Sequence, residues 1–171
     1  LGMDRITELA ERTNIMTNMP PVLSMALGAG ETSLIKLTSA YASIANGGKK
    51  VEASLIDRIQ DRRGKNIFIL DHATCENCNQ PYIEDKPKPK IIDKSEIIFD
   101  EVNAYQMVSI LKGAVDRGTG RKTKIEGLEI AGKTGTTNNN TDAWFLGFTS
   151  DIIVGVYTGF DIPESLGKRE T

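Results

Sequence analysis

The chain has 171 residues, a formal net charge of −2 at neutral pH and a hydrophobic fraction of 39%. A compact chain of this length buries about 70% of the surface that it exposes when unfolded, which is enough for one domain. The weak acidic excess and the lack of a basic block argue against a nucleic-acid partner. No apolar run reaches the roughly 20 residues of a membrane span, and no signal peptide begins the sequence, so the protein is either cytosolic or has such parts outside these residues.

Three helices are predicted before the last third of the chain. The first extends from Asp4 to about Arg12, where apolar residues recur at helical spacing. The second extends from Ser33 to Asn46 and ends at Gly47-Gly48. The third extends from Asp100 or Glu101 to Val115, and its broad apolar face predicts that it is buried across strands.

The stretch from Ala53 to Leu70 is predicted to form a β-hairpin. Its two apolar segments flank Asp61-Arg62-Arg63-Gly64, a turn in which Gly can take a positive φ. The next stretch, Asp71–Asp93, is predicted to be an irregular insertion, because alternating charges and prolines in its second half disfavour both a helix and a strand ladder.

The insertion holds His72, Cys75 and Cys78, the only His and the only two Cys of the sequence. A Cys-x-x-Cys pair can be a zinc half-site, a redox pair or a local disulfide. Zinc takes four ligands and these residues leave one missing, so no metal site is predicted. A redox pair normally begins a helix, which nothing here indicates. A disulfide and two free thiols remain as alternatives, and no cofactor is predicted for the chain.

A Ser-x-x-Lys pattern occurs at Ser33-Leu34-Ile35-Lys36, and in some enzymes such a Lys activates a nucleophilic Ser one helical turn away. Ser33, or Thr32 before it, is also the natural N-cap of the second helix, and Lys36 lies beside its apolar stripe, where water can solvate it. We therefore predict a helix cap, and a Ser33/Lys36 hydrolase is a minor alternative.

Three β-like segments follow one another from about Glu129 to Asp161, and the first contains Lys133-Thr134-Gly135-Thr136. In a strand, Thr134 and Thr136 point to the same side about 7 Å apart, so both hydroxyls can reach one carboxylate. Lys133 offers a point charge to an anion, and Gly135 lets a ligand lie against the backbone. At a sheet edge, the N–H of Thr136 could serve as an oxyanion donor. The alternative is a polar edge strand that Lys133 protects from aggregation.

Taken with their context, these residues resemble the transpeptidase domain of the class A penicillin-binding proteins. The resemblance covers nearly the whole chain apart from about Asp71–Asp93, and it rests on six segments: Lys133–Asn138, Asp142–Thr149, Gly155–Asp161, Leu27–Glu31, Ala40–Gly48 and Arg117–Gly120. It implies an α+β fold in which an antiparallel sheet packs against helices, as in the penicillin-binding protein transpeptidases and serine β-lactamases. It also implies that residues 1–171 are a single partial domain, the C-terminal portion of the transpeptidase.

The resemblance implies a serine D-Ala-D-Ala transpeptidase that cross-links peptidoglycan stem peptides and is acylated by β-lactams. By analogy, Lys133 supports the field and the proton path around a Ser-x-Asn motif. Thr134 and Thr136 hold the terminal carboxylate, Gly135 gives clearance, and the N–H of Thr136 completes the oxyanion hole. The nucleophilic Ser, its Lys and the Ser-x-Asn residues do not occur in these 171 residues, so the chain alone is predicted to be inactive.

The resemblance further implies parts outside this sequence, namely a glycosyltransferase domain and an N-terminal membrane anchor at the periplasmic face of the inner membrane. The expected partners are stem peptides, β-lactams, the rest of the same transpeptidase domain and, through exposed apolar surface, a second copy of the chain. A location outside the cytoplasm favours a disulfide between Cys75 and Cys78. The alternative function is a catalytically silent module that binds a peptide at the same strand by β-augmentation.

Overall fold

Four α-helices and seven strands lie within the residues that the computed structural model describes, which are 2–70, 73–78, 81 and 88–167. The helices are α1 Met3–Arg12, α2 Leu23–Ala26, α3 Leu34–Ala45 and α4 Glu101–Arg117. The strands are β1 Arg58–Gln60, β2 Asn66–Ile69, β3 Thr74–Glu76, β4 Lys90–Ile92, β5 Ala131–Thr136, β6 Asp142–Phe148 and β7 Ile153–Gly159. Helices α1, α3 and α4 match the three predicted helices, whereas the four-residue α2 was not predicted.

The chain divides into two compact units, of which the smaller comprises Ser54–Glu96. In this unit β1 pairs antiparallel with β2, which confirms the predicted hairpin. Its turn forms because the Asp61 carboxylate accepts hydrogen bonds from the N–H groups of Arg63 and Lys65 at 2.8 and 2.9 Å, and because Gly64 takes a φ of 78°. The paired segment is shorter than predicted and begins only at Arg58.

The smaller unit also contains a second antiparallel pair, in which Cys75 of β3 lies opposite Ile91 of β4. Both strands fall inside Asp71–Asp93, where the sequence predicted an irregular insertion, so that prediction is wrong for these residues. The physical reason is that Pro89 precedes β4 and removes no hydrogen-bond donor from the ladder, while Ile91 and Ile92 favour a strand. That residues 1–171 form a single domain stays a prediction.

The larger unit comprises Leu1–Ala53 and Ile97–Thr171, and its centre is a three-stranded antiparallel sheet in the order β5-β6-β7. The register sets Ala131 opposite Phe148, and Phe148 opposite Ile153. These residues share one face of the sheet with a core that includes Leu111 of α4, and Tyr41 of α3 packs against it. The three predicted strands, and the packing of the third predicted helix (α4) on one sheet face, are confirmed. The predicted burial of its broad apolar face is wrong, because Val102 and Ile110 are exposed and only a narrow stripe of the helix is buried.

Both long helices begin with a side-chain cap. The Ser33 hydroxyl accepts a hydrogen bond from the N–H of Lys36 at 3.4 Å, and the Asp100 carboxylate accepts one from the N–H of Asn103 at 2.9 Å. Each cap satisfies a backbone donor that has no partner within its helix. Helix α3 lies close to β7 because Gly155 has no side chain, and a Cβ there would overlap Thr38.

The sheet face opposite helices α3 and α4 is apolar and exposed along β7, where Val154 and Val156 alternate with the inward residues.

None of the helices formed by the described residues combines the length and the apolar character needed to cross a membrane.

Candidate active site

Strand β5 is an edge strand of the sheet formed by the described residues, and its outward side is set by the hydrogen-bond register. The N–H of Thr137 donates to the carbonyl oxygen of Asp142 at 3.4 Å, just beyond the end of the β5–β6 ladder. Successive residues of a strand direct their backbone groups to alternate sides. The N–H and C=O groups of Thr134 and Thr136 therefore point away from β6, toward the free side of the edge.

Lys133 has an exposed side chain, and its ammonium lies at the same edge. Its Nζ donates a hydrogen bond to the outward carbonyl oxygen of Thr134 at 2.7 Å. Alternation places the Cβ atoms of Lys133 and Thr134 on opposite faces of the sheet, so the lysine stem bends around the strand to reach this carbonyl. The positive charge thus lies beside the outward backbone groups of β5.

Thr134 and Thr136 lie on one face of β5, as the strand period predicts. The Oγ1 of Thr134 is 2.8 Å from the Oγ1 of Thr119, whereas the Thr136 side chain is exposed. Thr119 was not among the predicted site residues. Its sequence signal was the Gly-Thr-Gly pattern after the third predicted helix, a pattern that contributed only to the family resemblance.

Thr119 lies in a tight turn that ends α4. The N–H groups of Gly118 and Gly120 both donate to the carbonyl oxygen of Ala114, at 3.1 and 3.0 Å. A Cβ at Gly118 would lie 2.8 Å from that oxygen, so a larger residue requires the turn to shift. Beyond the turn, Lys124 Nζ lies 3.0 Å from a carboxylate oxygen of Asp116, and this hydrogen bond lowers the pKa of Asp116.

A cleft of about 510 Å³ adjoins the end of β5. Gly135 and Thr136 form part of its wall with Trp144 and with apolar residues that include Met16 and Met25, but Lys133 and Thr134 do not line it. A Cβ at Gly135 would lie 3.3 Å from the Cβ of Trp144. Glycine is therefore favoured at position 135 by the approach of the neighbouring strand, in addition to the predicted clearance for a ligand.

Trp144 is held in place by Tyr157 on the next strand. The two rings lie at the same level of the β6–β7 ladder, with centroids 4.9 Å apart and planes at 66°. Edge-to-face pairs of this kind contribute about 0.5–1.5 kcal/mol beyond the area that they bury. The cleft wall next to Gly135 is thus a fixed aromatic surface.

Ser33 and Lys36 do not form a comparable site. The Ser33 hydroxyl is engaged by the backbone N–H of Lys36, as the predicted N-cap requires. Lys36 lines a different cleft of about 300 Å³, with Thr13 and Ser39 among the lining residues, and Ser33 is not part of its wall. The geometry supports a helix cap.

The two cysteines of the smaller unit are neighbours. Cys75 and Cys78 are paired, with Cα atoms 5.7 Å apart, which lies in the range that a disulfide requires. Whether they are oxidised in the cell stays a prediction. Among the described residues, no three His, Cys, Asp or Glu side chains are grouped as a metal site requires. His72 lies outside the described residues.

Comparison with known proteins identifies the family to which this chain is related. Residues 7–157 match the family model of the penicillin binding protein transpeptidase domain. Penicillin-binding protein 1A of Rickettsia prowazekii is 44% identical over 173 residues, which cover 100% of this chain and 22% of that protein. Penicillin-binding protein 1A of Neisseria gonorrhoeae is 42% identical over 153 residues, which cover 89% of this chain and 17% of that protein. The chain therefore spans about a fifth of the curated relatives that it matches.

Solved structures share the fold. The crystal structure of penicillin-binding protein 1A from Haemophilus influenzae superposes with a TM-score of 0.72 at 28% identity, over 98% of this chain and 28% of that one. PonA1 of Mycobacterium tuberculosis, solved in complex with penicillin V, has a TM-score of 0.63 at 20% identity, over 88% of this chain and 39% of its own. The α+β fold and the class A resemblance are thereby confirmed. The chain belongs to the transpeptidase domain family of the penicillin-binding proteins.

Proposed function

We propose that this chain supplies the Lys-Thr-Gly edge of a serine D,D-transpeptidase that cross-links peptidoglycan stem peptides. The observation that carries the proposal is the free side of β5. There the ammonium of Lys133 contacts the carbonyl of Thr134, and alternation directs the N–H of Thr136 the same way. A cation and an outward N–H at one edge suit a substrate that ends in a carboxylate and forms an oxyanion when attacked.

The proposed reaction begins when a Ser from outside these 171 residues attacks the carbonyl of the D-Ala-D-Ala bond. The N–H of Thr136 donates to the oxyanion that forms, and the hydroxyls of Thr134 and Thr136 hold the terminal carboxylate. The C–N bond then breaks, D-Ala leaves with a proton on its amine, and an acyl-enzyme remains. An amine of a neighbouring strand displaces the Ser. A β-lactam follows the same first step, but its leaving group stays attached.

In this proposal Lys133 acts through its charge. The ammonium is close to the backbone of Thr134, so it raises the positive potential where both the carboxylate and the oxyanion bind. Such preorganised groups stabilise developing charge without having to reorient during the reaction. The same ammonium can assist proton movement to and from the Ser, through residues that this sequence does not contain.

The proposal extends to the whole protein in two respects. The relatives of this chain are far longer than it is, and we propose that the protein also has a glycosyltransferase domain and an N-terminal anchor, and works at the periplasmic face of the inner membrane.

The second candidate function is a silent module that binds a peptide to β5. It is favoured by the outward backbone groups of Thr134 and Thr136, which can pair with an added strand.

Intact-mass measurement after incubation with benzylpenicillin tests the proposal. The complete encoded protein means this chain together with whatever its gene encodes before Leu1 and after Thr171. We expect a single covalent adduct on the complete encoded protein and none on the 171-residue chain, because removing a nucleophile costs several orders of magnitude in rate.

Two outcomes would contradict this expectation. If the complete encoded protein binds penicillin without a covalent adduct, the silent binding module is the better description. If the 171-residue chain forms an adduct that maps to Ser33 and is lost in Ser33→Ala, the nucleophile lies in this chain and the helix-cap assignment is wrong.

A further inference from the structure

We propose that Thr119 is a positioning residue for the carboxylate clamp: its hydroxyl donates to Thr134 and directs the Thr134 proton at the substrate carboxylate. The inference rests on the function proposed above and adds to it a residue outside β5. Its basis is the contact between Thr119 Oγ1 and Thr134 Oγ1, which are 2.8 Å apart. The two residues are 15 positions apart in sequence, and they meet because the turn after α4 lies against the edge of β5.

The direction of this hydrogen bond follows from counting protons. Each hydroxyl has one proton to donate and two lone pairs that accept, whereas an ionised carboxylate can only accept. Without a ligand, either threonine can be the donor. Once a carboxylate takes the proton of Thr134, the contact persists only with Thr119 as the donor. Bound substrate therefore orders a chain that runs from Thr119 through Thr134 to the carboxylate.

This chain strengthens the clamp in two ways. A hydroxyl that accepts one hydrogen bond becomes a better donor for the next, so the Thr134–carboxylate bond gains from the proton of Thr119. The contact also restricts rotation of the Thr134 side chain before substrate arrives. The Thr136 hydroxyl, which is exposed, has no such contact in the structure as described. Of the two threonines that are proposed to hold the carboxylate, Thr134 is therefore the one whose side chain is held in place before substrate binds.

The turn that carries Thr119 is built to hold it in place. Gly118 and Gly120 both bond to Ala114, and Gly120 is buried next to Val115, so the backbone on each side of Thr119 is fixed to the end of α4. The Thr119 side chain, by contrast, is exposed and contributes little to the core. A backbone that is fixed on both sides and carries an exposed hydroxyl in contact with a predicted substrate-binding residue indicates a role in binding.

The test compares two substrates across five variants of the complete encoded protein, three of them at Thr119 and Thr123 and two that contain Thr134→Val. The substrates are a stem peptide that ends in D-Ala-D-Ala with a free carboxylate, and the same peptide with a terminal carboxamide. Thr119→Val removes the hydroxyl at nearly constant size, Thr119→Ser keeps it, and Thr123→Val is the matched control. Thr123 lies near the same turn, and its hydroxyl donates to the carbonyl of Gly120 at 2.7 Å.

We expect Thr119→Val to lower kcat/KM for the carboxylate peptide by about five- to tenfold, the factor for one hydrogen bond, and to change the carboxamide value much less. Thr119→Ser should restore the preference for the carboxylate. Thr123→Val should leave that preference intact, even if it lowers the melting temperature. Because Thr119 acts through Thr134, its effect should vanish when it is added to Thr134→Val.

Three results would overturn the inference. Equal kcat/KM values for Thr119→Val and wild type show that the hydroxyl is not used. An equal loss for both substrates shows that Thr119 only supports the turn, and full additivity with Thr134→Val shows that it acts elsewhere. In each of these cases wild type still acts on the carboxylate peptide, so the proposed function stands. A wild-type protein that neither cleaves the peptide nor forms a penicillin adduct refutes the proposed function itself.

Discussion

Replacement of Lys133 by Ala is expected to slow β-lactam acylation far more than it lowers stability. The structure shows one hydrogen bond from the Lys133 side chain, to the carbonyl of Thr134, and the side chain is exposed. Losing such a bond at the surface costs about 1 kcal/mol of folding free energy or less. Losing a group that stabilises charge in a transition state typically lowers the rate by roughly a hundredfold to a thousandfold.

The acylation rate constant can be measured with a fluorescent penicillin, and stability by thermal unfolding of the same preparation of the complete encoded protein. Lys36→Ala is a matched control, because Lys36 lies on α3 and lines a different cleft. We expect the control to acylate at the wild-type rate. Two results would refute the role of Lys133: an acylation rate unchanged within about twofold, or a slow rate that is fully explained by unfolded protein.

Two further predictions concern packing and the cysteines. Leu111→Ala should cost about 2–5 kcal/mol of unfolding free energy in urea denaturation, because Leu111 is buried against Ala131 and Phe148. Ile110→Ala, on the exposed side of the same helix, should cost under about 0.5 kcal/mol, and equal losses would contradict the assigned core. Cys75 and Cys78 should yield no titratable thiol under denaturing conditions after expression in an oxidising compartment, whereas two thiols would favour free cysteines.

The sequence predicted those elements whose signal is local. Strands β5, β6 and β7 have apolar and aromatic residues between polar turns, and helices α3 and α4 have apolar residues at helical spacing, so each could be recognised from its own residues. The predicted cap at Ser33 was equally local. The position of β5 at a sheet edge followed only after the strand order was known.

The sequence missed one helix that is too short to show a period and several features that depend on residues far apart in the chain. Helix α2 has four residues, which is too short for a period to show. Strands β3 and β4 become recognisable only through their pairing, since Cys75 lies opposite Ile91 across a segment rich in charge and proline. The contact of Thr119 with Thr134 likewise needs the fold, because a Gly-Thr-Gly pattern after a helix is also what a simple helix end requires.

The last prediction concerns the ion pair between Asp116 and Lys124, which spans the turn that carries Thr119. A hydrogen bond from Lys124 lowers the pKa of Asp116 below its ordinary value of 3.8. A lowered folded-state pKa means that folding favours the ionised carboxylate. Its contribution to stability is therefore present above the unfolded-state pKa and is lost as the pH falls through the folded-state value.

The melting temperatures of wild type and Asp116→Asn should therefore differ at neutral pH and converge in acid, below the ordinary Asp value of 3.8. The difference at neutral pH should be small and should shrink in high salt, because both side chains are partly exposed. Lys112→Gln is a control for which the effect on stability should depend on pH in the opposite direction. A hydrogen bond to Glu129 raises the pKa of Lys112, so that contribution is fully present below the unfolded-state pKa of lysine and is lost as the pH rises through the folded-state value. A melting-temperature difference for Asp116→Asn that stays constant from neutral to acid pH would show that the charge of Asp116 does not stabilise the turn.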